Sequence, residues 1–232
     1  MRLDKLLANK AYGSRKEVHQ IIKDRRVTIN GEITTKKDIH INIDIDTVAV
    51  DGQIVSTTQL YYVKFHKPKG YITAVEDSTH PVVMDLLPPE YLKMGVVPVG
   101  RLDKDTEGLL LLTNDGVWGH SIINGHKHVP KVYYVEFEGE LSEEGLQRIK
   151  EGIVLGDETQ CKPALIELLS DHSATITIEE GKYHQVKRMI GAAGGSVTYL
   201  KRLTIGHVDL SGIEEVGSVM DLTIDEVEGF KK

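Results

Sequence analysis

Four consecutive leucines, Leu109 to Leu112, constrain this chain more than any other feature of its sequence. Gly108 precedes them and Asp115-Gly116 follows closely, so the apolar run is too short for a buried helix. A short apolar run between turn residues is typical of a strand that is covered on both faces of its sheet. We therefore predict a central β-strand over Leu109–Thr113, followed by a helix that Asp115 caps over Gly116–Ile123.

The other patterns predict strands and helices that do not alternate strictly. Strands are expected in 61–75, as two strands joined by a Lys-Pro-Lys-Gly turn, and in 131–139, 174–181 and 196–210. Helices are expected in 81–88, ended by Pro88-Pro89, in 143–151, between Ser142 as cap and Gly152 as stop, and in 184–195. This arrangement indicates an α+β fold with a mixed, largely antiparallel β-sheet and flanking helices.

Residues 1–55 are predicted to form a separate small domain of two helices followed by short strands. Leucines at helical spacing indicate a first helix near 2–11, and Ser14 with Glu17 forms a capping box for a second. Asn30-Gly31 and Asp51-Gly52 indicate tight hairpins. The polar stretch 56–60 is the predicted linker, and 61–232 the larger domain.

Composition excludes several classes of function. No run of eighteen apolar residues exists, and the charged N-terminus lacks the apolar segment of a signal peptide, so a cytoplasmic protein without a membrane partner is expected. His120, His126 and His128 do not have the spacing of a zinc site, and we expect no metal. The sequence has no P-loop, dinucleotide fingerprint or nucleophile elbow, and we expect no cofactor.

Charge is distributed unevenly along the chain. The net charge is −7, yet residues 1–40 hold ten lysines and arginines against five acids, and residues 181–202 hold five bases and no acid. Local basic patches are the electrostatic signature of phosphate binding, whatever the overall charge. The acidic stretch 207–232 is interpreted as a solubilising tail.

Arg15 and Lys16 lie in the first turn of the capped helix, where the helix dipole disfavours positive charge. This placement favours an anion site over a merely solvated basic helix start, although the second interpretation stays open. The predicted RNA-binding residues are Arg2, Arg15, Lys16, Lys23, Arg25, Arg26, Lys182 and Arg188.

Asp103 lies in a charged loop that the apolar strand holds in place. From the residues alone, a salt-bridge partner, a general base, a metal ligand and a nucleophile all stay open, with the salt bridge as the default.

Five ordered motifs add a resemblance. The segments GRLDKDTEGLLLLTNDG, KPKGYITA, KVYYVEF, GKYHQVKRM and LKRLTIG resemble the RsuA-type family of bacterial pseudouridine synthases. The N-terminal segment resembles an RNA-binding module that a small-subunit ribosomal protein shares with RNA-modifying enzymes. Relatives usually have a glycine at the end of the second helix, where KDRR stands here. Either Asp24 or Arg25 is therefore expected to take the left-handed turn, or the helix ends in another way.

The resemblance implies roles for particular residues. Asp103 is the expected catalytic carboxylate, Tyr133 packs against the target base, Lys187 pairs with the carboxylate, Leu200 lines the pocket, and Arg101 fills the stack that the base leaves. Asp105 and Thr106 are expected to brace the loop.

The expected substrate is a single uridine in small-subunit (16S) ribosomal RNA, within an assembling particle, bound by a monomeric enzyme. This choice rests on YHQVKRM, since large-subunit enzymes tend to read RNRQVRRM. A large-subunit synthase of the same type is the alternative, and a non-catalytic RNA-binding assembly factor is the alternative from another class.

Overall fold

The structure is a computed structural model that describes residues 1–10, 12–43, 45–55, 59–124 and 128–231, except for the side chain of residue 9. The chain divides into two compact units, Met1–Gln59 and Leu60–Lys232. Most of the predicted linker, at 56–58, lies outside the described residues.

The first unit packs two helices against short antiparallel strands. Its elements are α1 (Leu3–Asn9), α2 (Arg15–Lys23), β1 (Val27–Ile29), β2 (Glu32–Ile33), β3 (Val48–Val50) and β4 (Gln53–Val55), with strand order β2-β1-β3-β4. Leucines of α1, Val18 and Ile22 of α2, and the valines of β1 and β3 form its core.

The local signals of this unit behave as the sequence predicts. The Ser14 hydroxyl accepts the Glu17 backbone N–H, and the Glu17 carboxylate accepts the Ser14 backbone N–H at 2.7 Å, which completes the capping box. Asn30 and Gly31 both have positive φ, as a two-residue hairpin requires. Arg25 takes the left-handed turn after α2 with φ 62°, as predicted for one of two residues.

The second unit is built on one mixed sheet. Its strands are β5 (Tyr62–Lys67), β6 (Val97–Val99), β7 (Glu107–Thr113), β8 (Lys131–Gly139), β9 (Leu165–Ser170), β10 (Ser173–Ile178), β11 (Gly195–Ile205) and β12 (Val219–Asp221). The helices are α3 (Pro89–Lys93), α4 (Gly116–Ile123), α5 (Glu143–Glu151), α6 (Gln185–Ala192) and α7 (Ile224–Glu228). Among the described residues the order is β12-β5-β7-β11-β8-β10-β9, with β6 beside β7, and the β7–β11 pair alone is parallel.

The four leucines of β7 are fully buried, as predicted, because both faces of the sheet are covered. Leu110 and Leu112 pack into the core formed with Val63, Phe65 and α6. Leu109 and Leu111 pack into a second core with Trp118 of α4 and the C-terminal segment. The loop before β7 is therefore joined at its C-terminal end to a strand that has little freedom to move.

Two expectations were wrong, and the short helix expected before Pro88 is present as the 3₁₀ helix Val83–Leu86. Residues 71–75 form no strand beyond one bridge from Ile72 to Val82, because the Ala74 N–H turns back to the Ile72 carbonyl instead of bonding a neighbouring strand. The acidic C-terminal stretch is no solvated tail: β12 pairs with β5, and Val227 and Phe230 are buried.

Candidate active site

The loop before β7 is anchored by a buried lysine. Lys67, the last residue of β5, has no exposed surface, and its Nζ donates to the backbone carbonyls of Pro68 at 2.9 Å, Asp103 at 3.1 Å and Thr106 at 2.8 Å. Burial lowers the pKa of Lys67 to about 8, while Asp105 and Asp103 act in the opposite direction. This side chain fixes both ends of the 103–106 turn.

Asp103 lies in a cluster of charges that α6 completes. Lys187 Nζ is 3.0 Å from Asp103 Oδ2 and 2.5 Å from Asp105 Oδ1, and His184 Nε2 is 3.6 Å from Asp103 Oδ1. Burial opposes the charge of Lys187, but hydrogen bonds to Asp105 and Asp103 outweigh it and raise its pKa. The ammonium therefore stays charged and is shared by two carboxylates.

Asp105 is the second carboxylate that pairs with Lys187. Burial pushes the pKa of its carboxyl upward, yet the hydrogen bond and charge of Lys187 lower it overall. The side chain is largely exposed, whereas the Asp103 carboxylate is more enclosed. The loop thus presents one partly enclosed carboxylate and one outer carboxylate to the same cation.

A buried arginine connects the remaining predicted pocket residues. Arg202 Nε donates to the Leu109 carbonyl at 2.8 Å, and its Nη1 lies 3.5 Å from both the Arg101 carbonyl and the Tyr133 hydroxyl. Tyr133 and Leu200 are buried in one core cluster with Leu102, the residue before Asp103. The Arg101 side chain is exposed. The structure therefore links Arg101 and Tyr133 through Arg202.

The cations predicted to bind RNA differ in their surroundings. Lys182 pairs with Glu180, Arg188 with Asp157, Arg2 with Asp4, and Arg26 with Asp51. Among the described residues of the first unit, no carboxylate lies within ion-pair distance of the four exposed side chains Arg15, Lys16, Lys23 and Arg25. Within the acid-free stretch 181–202, Lys182 thus pairs with the residue just before the stretch, and Arg188 pairs with an acid from a distant segment.

A cavity of about 310 Å³ opens beside this cluster. It is lined by Lys69, Asp105, Lys187 and residues 195–200, and Lys69 Nζ lies 4.1 Å from the centre of the Tyr199 ring. Asp103 and Tyr133 are not among its lining residues, so the cavity adjoins the Asp103 site across the Lys187–Asp105 pair.

Sequence reasoning missed Lys67 and Arg202 as parts of the site. Both stand in the quoted motifs KPKGYITA and LKRLTIG, so their positions carried the signal. Most of their partners are backbone carbonyls of distant segments, such as those of Thr106 and Leu109, which only the fold brings together.

Comparison with known proteins decides the family. Residues 61–192 match the model of RNA pseudouridylate synthases, and residues 1–41 match the S4 domain. The chain belongs to the RNA pseudouridylate synthase family. The synthase is 43% identical to the uncharacterized RNA pseudouridine synthase YtzG of Bacillus subtilis strain 168, over 98% of this chain and 97% of that protein.

Two further relatives support the family. Ribosomal small subunit pseudouridine synthase A of Escherichia coli strain K12 is 35% identical to the synthase over 98% of each chain. A crystal structure titled pseudouridylate synthase aligns with a TM-score of 0.69 at 34% identity, covering 99% of both chains. The resemblance seen in the motifs, the α+β fold and the assignment as an isomerase that acts on RNA are confirmed. A non-catalytic assembly factor is therefore excluded as the protein's class.

No helix in the described residues is long and apolar enough to cross a membrane. The same residues contain no group of three or more His, Cys, Asp or Glu side chains that could hold a metal ion.

Proposed function

We propose that this synthase converts one specific uridine of 16S ribosomal RNA to pseudouridine, with Asp103 as the reacting carboxylate. The observation that carries the proposal is the partly enclosed Asp103 carboxylate, held 3.0 Å from the Lys187 ammonium on a loop that Lys67 fixes. The relatives named small subunit synthases span nearly the whole chain and favour a small-subunit target. A large-subunit uridine is the alternative.

The reaction needs no redox step and no cofactor. The N1–C1′ bond of the uridine breaks, the uracil turns, a C5–C1′ bond forms, and the proton on C5 is lost to solvent while N1 gains one. Asp103 acts either as a nucleophile or as the base that removes a sugar proton, and both roles require an ionised carboxylate. The Lys187 ammonium lies 3.0 Å from that carboxylate and is the counter-ion beside it.

The target base must leave the RNA stack to reach the Asp103 carboxylate, which lies in the loop before β7. Tyr133 offers a ring for the extruded base, with its hydroxyl near Arg202. Leu200 supplies an apolar wall from the same core cluster. The exposed Arg101 side chain takes the vacated place in the RNA stack.

We assign RNA capture to residues 1–55, a linker to 56–60 and catalysis to 61–232. The proposed phosphate contacts are the predicted RNA-binding cations: Arg2, Arg15, Lys16, Lys23, Arg25 and Arg26 of the first unit, with Lys182 and Arg188 of the second. The proposed substrate is ribosomal RNA in an assembling small-subunit particle in the cytoplasm, and the enzyme acts as a monomer, which light scattering of the purified chain tests.

Substitution of the carboxylate tests the chemical role. Asp103→Asn keeps the shape of the side chain but removes the nucleophile and base, so pseudouridine formation should vanish while RNA affinity changes less than about threefold. Asp105→Asn is the matched control, because it shares Lys187 and should retain most turnover. Substantial turnover by Asp103→Asn would show that another group reacts.

Mapping of pseudouridine tests the substrate. Ribosomal RNA from cells that have and lack this protein should differ at one uridine of 16S RNA. A difference confined to large-subunit RNA would establish the alternative. Reaction of the purified protein with naked 16S RNA and with partly assembled particles then identifies the preferred form.

A further inference from the structure

A tyrosine and a histidine next to Asp103 have features that core packing does not explain. Tyr183 is 75% exposed, and no other Tyr, Phe or Trp side chain of the described residues is classed as exposed. Its ring stacks on His184, with centroids 3.9 Å apart and planes inclined by 17°. The other side of that pair is the Asp103 carboxylate, 3.6 Å from His184 Nε2.

The backbone at His184 is unfavourable for histidine. This residue takes the N-cap position of α6 in the left-handed region, with φ 47° and ψ 36°, and its side chain makes no capping hydrogen bond. Asparagine would suit this backbone better, since its short polar side chain tolerates the left-handed conformation. The strained backbone at His184 therefore coincides with an imidazole ring that stacks on Tyr183 and lies 3.6 Å from Asp103.

The surroundings of the pair suit a nucleic acid. Arg188 Nη1 lies 3.3 Å from the Tyr183 carbonyl, and Lys182 and Lys187 flank the pair in sequence. Proteins hold unpaired bases on exposed aromatic faces, since such stacking is tolerant of sequence. The neighbouring cations pair with carboxylates, so the exposed ring rather than free charge favours a base at this place.

We propose that Tyr183 and His184 form a platform on which an unpaired RNA base beside the target uridine stacks. This inference rests on the proposed function, because it places the neighbouring nucleotide relative to the reacting carboxylate. The base covers the outer face of Tyr183, and His184 sets the distance between that base and Asp103. The platform holds the RNA strand while the target uridine is extruded.

Binding of a fluorescent RNA tests the platform without catalysis. The probes are two single-stranded nonamers with one central uridine and 2-aminopurine on its 5′ or its 3′ side, titrated into the full chain carrying Asp103→Asn. One probe should lose fluorescence on binding, because stacking quenches 2-aminopurine. Adding Tyr183→Ala should abolish the quenching and weaken binding at least about fivefold, the lower end of base–aromatic stacking.

Two matched variants separate the ring from other effects. Tyr183→Phe should keep the quenching and the affinity, because the ring remains. Leu169→Ala, which trims an exposed apolar side chain of β9, should change neither. Quenching that survives Tyr183→Ala at unchanged affinity would overturn the proposal.

His184→Asn tests the trade between stability and binding. The melting temperature should rise, because Asn tolerates the left-handed backbone, while the affinity for the quenched probe should fall at least about threefold. Loss of stability at unchanged affinity would show that His184 serves only the fold and would overturn its part in the platform.

The outcomes also separate this inference from the proposed function. If the wild-type chain forms no pseudouridine in ribosomal RNA but Tyr183→Ala still loses the quenching, the platform stands and the proposed target falls. If the wild type modifies 16S RNA and Tyr183→Ala binds and turns over equally well, the platform falls and the function stands.

Discussion

Lys67 is a buried cation that donates hydrogen bonds to three backbone carbonyls and so holds the 103–106 turn in place. Breaking such an arrangement leaves buried carbonyls without donors, which is costly. Replacement by methionine keeps the packing of the stem but releases the 103–106 turn. The position of Asp103 relative to Lys187 should then become less well defined.

The pH dependence of turnover should report this lysine. Burial lowers the pKa of Lys67 to about 8, whereas the unfolded chain keeps the proton until about 10.5. Between these values the unfolded state binds more protons, so this group makes the free energy of unfolding rise with pH. The neutral amine has two donors instead of three, so kcat should fall as the pH rises through about 8.

Two variants test whether the fall in kcat at alkaline pH comes from deprotonation of Lys67. Lys67→Met should have a lower kcat and no decline near pH 8. Lys131→Met is the control, because burial also lowers the pKa of Lys131 to about 8 although it lies on β8. If the decline follows Lys131 rather than Lys67, the turn is not what limits turnover at high pH.

Arg25 has a left-handed backbone conformation that favours glycine over a residue with a side chain. Its N–H bonds the Ile22 carbonyl, and the Arg26 N–H bonds the Ile21 carbonyl, which is the Schellman ending of a helix with a left-handed residue after the cap. Arg25→Gly should stabilise the chain by up to about 1 kcal/mol, because the left-handed cost of a side chain exceeds the added freedom of the unfolded glycine.

The same substitution should weaken RNA binding a few-fold, since an exposed cation is removed. Thermal melting and RNA titration measure the two effects. Arg25→Ala is the matched variant: it loses the charge but keeps the strained backbone, so only the affinity should fall. Equal affinity of all three proteins would remove Arg25 from the RNA surface.

The sequence predicted contacts in the candidate site only for residues that lie in recognisable motifs. Asp103 and Lys187 were expected as a pair, and the structure brings them within 3.0 Å. The basic stretch around Lys182 was overestimated as free charge, because Glu180 lies nearby and Asp157 reaches Arg188 from a distant loop. Net charge along a sequence says little about which carboxylates the fold brings to it.

At the level of elements, Gly108 is the position where the sheet depends on a missing side chain. It has φ 115°, and a Cβ there would overlap the backbone oxygen and nitrogen of Arg202 across the parallel β7–β11 pair. Gly108→Ala should therefore lower the free energy of unfolding by at least about 2 kcal/mol. Turnover should fall as well, because the same pair positions Arg202.

Gly116→Ala is the control for that comparison. This glycine begins α4, and a Cβ there meets nothing within 4 Å. Alanine should be neutral or slightly stabilising, since it has the higher helix propensity. Denaturant midpoints of the two variants measure the difference, and similar midpoints would show that β7 and β11 can separate without cost.

The elements that the sequence predicted are those with strong local signals. Strand β7 has its leucines, and α2 and α5 have serine caps that the structure confirms. The strands left out of the prediction, β6, β9 and β12, lie at edges or pair on one side, where little apolar periodicity is required. Their place is set by tertiary partners, such as the pairing of Val219 with Phe65.

On the scale of the whole molecule, each unit has a core of its own. Among the described residues, the core of the first unit uses residues 3–55, and both cores of the second use residues from 61 onward. None of the buried side chains in these cores comes from the other unit. A chain that begins at Leu60 should therefore fold, with Asp103, Lys187 and Lys67 in place.

That truncated chain tests the division of labour. It should bind ribosomal RNA more weakly and with a shallower salt dependence, because each lost phosphate contact flattens the log–log slope by about 0.7–0.9. Substitution of Arg15, Lys16 and Lys23 by alanine in the full chain should flatten the slope in the same direction. These three are the right choice because, unlike Arg26, they have no carboxylate within ion-pair distance among the described residues.

RNA affinity across a salt series compares the full chain, the truncated chain and the triple variant. A control variant, Lys5→Ala with Lys36→Ala and Lys37→Ala, removes as many exposed charges from the same unit without touching α2. If the proposed surface includes the start of α2, the triple variant should lose slope and the control should not. Equal loss in both would mean that the first unit attracts RNA by its net charge alone. An unchanged slope in the truncated chain would leave RNA capture to the second unit.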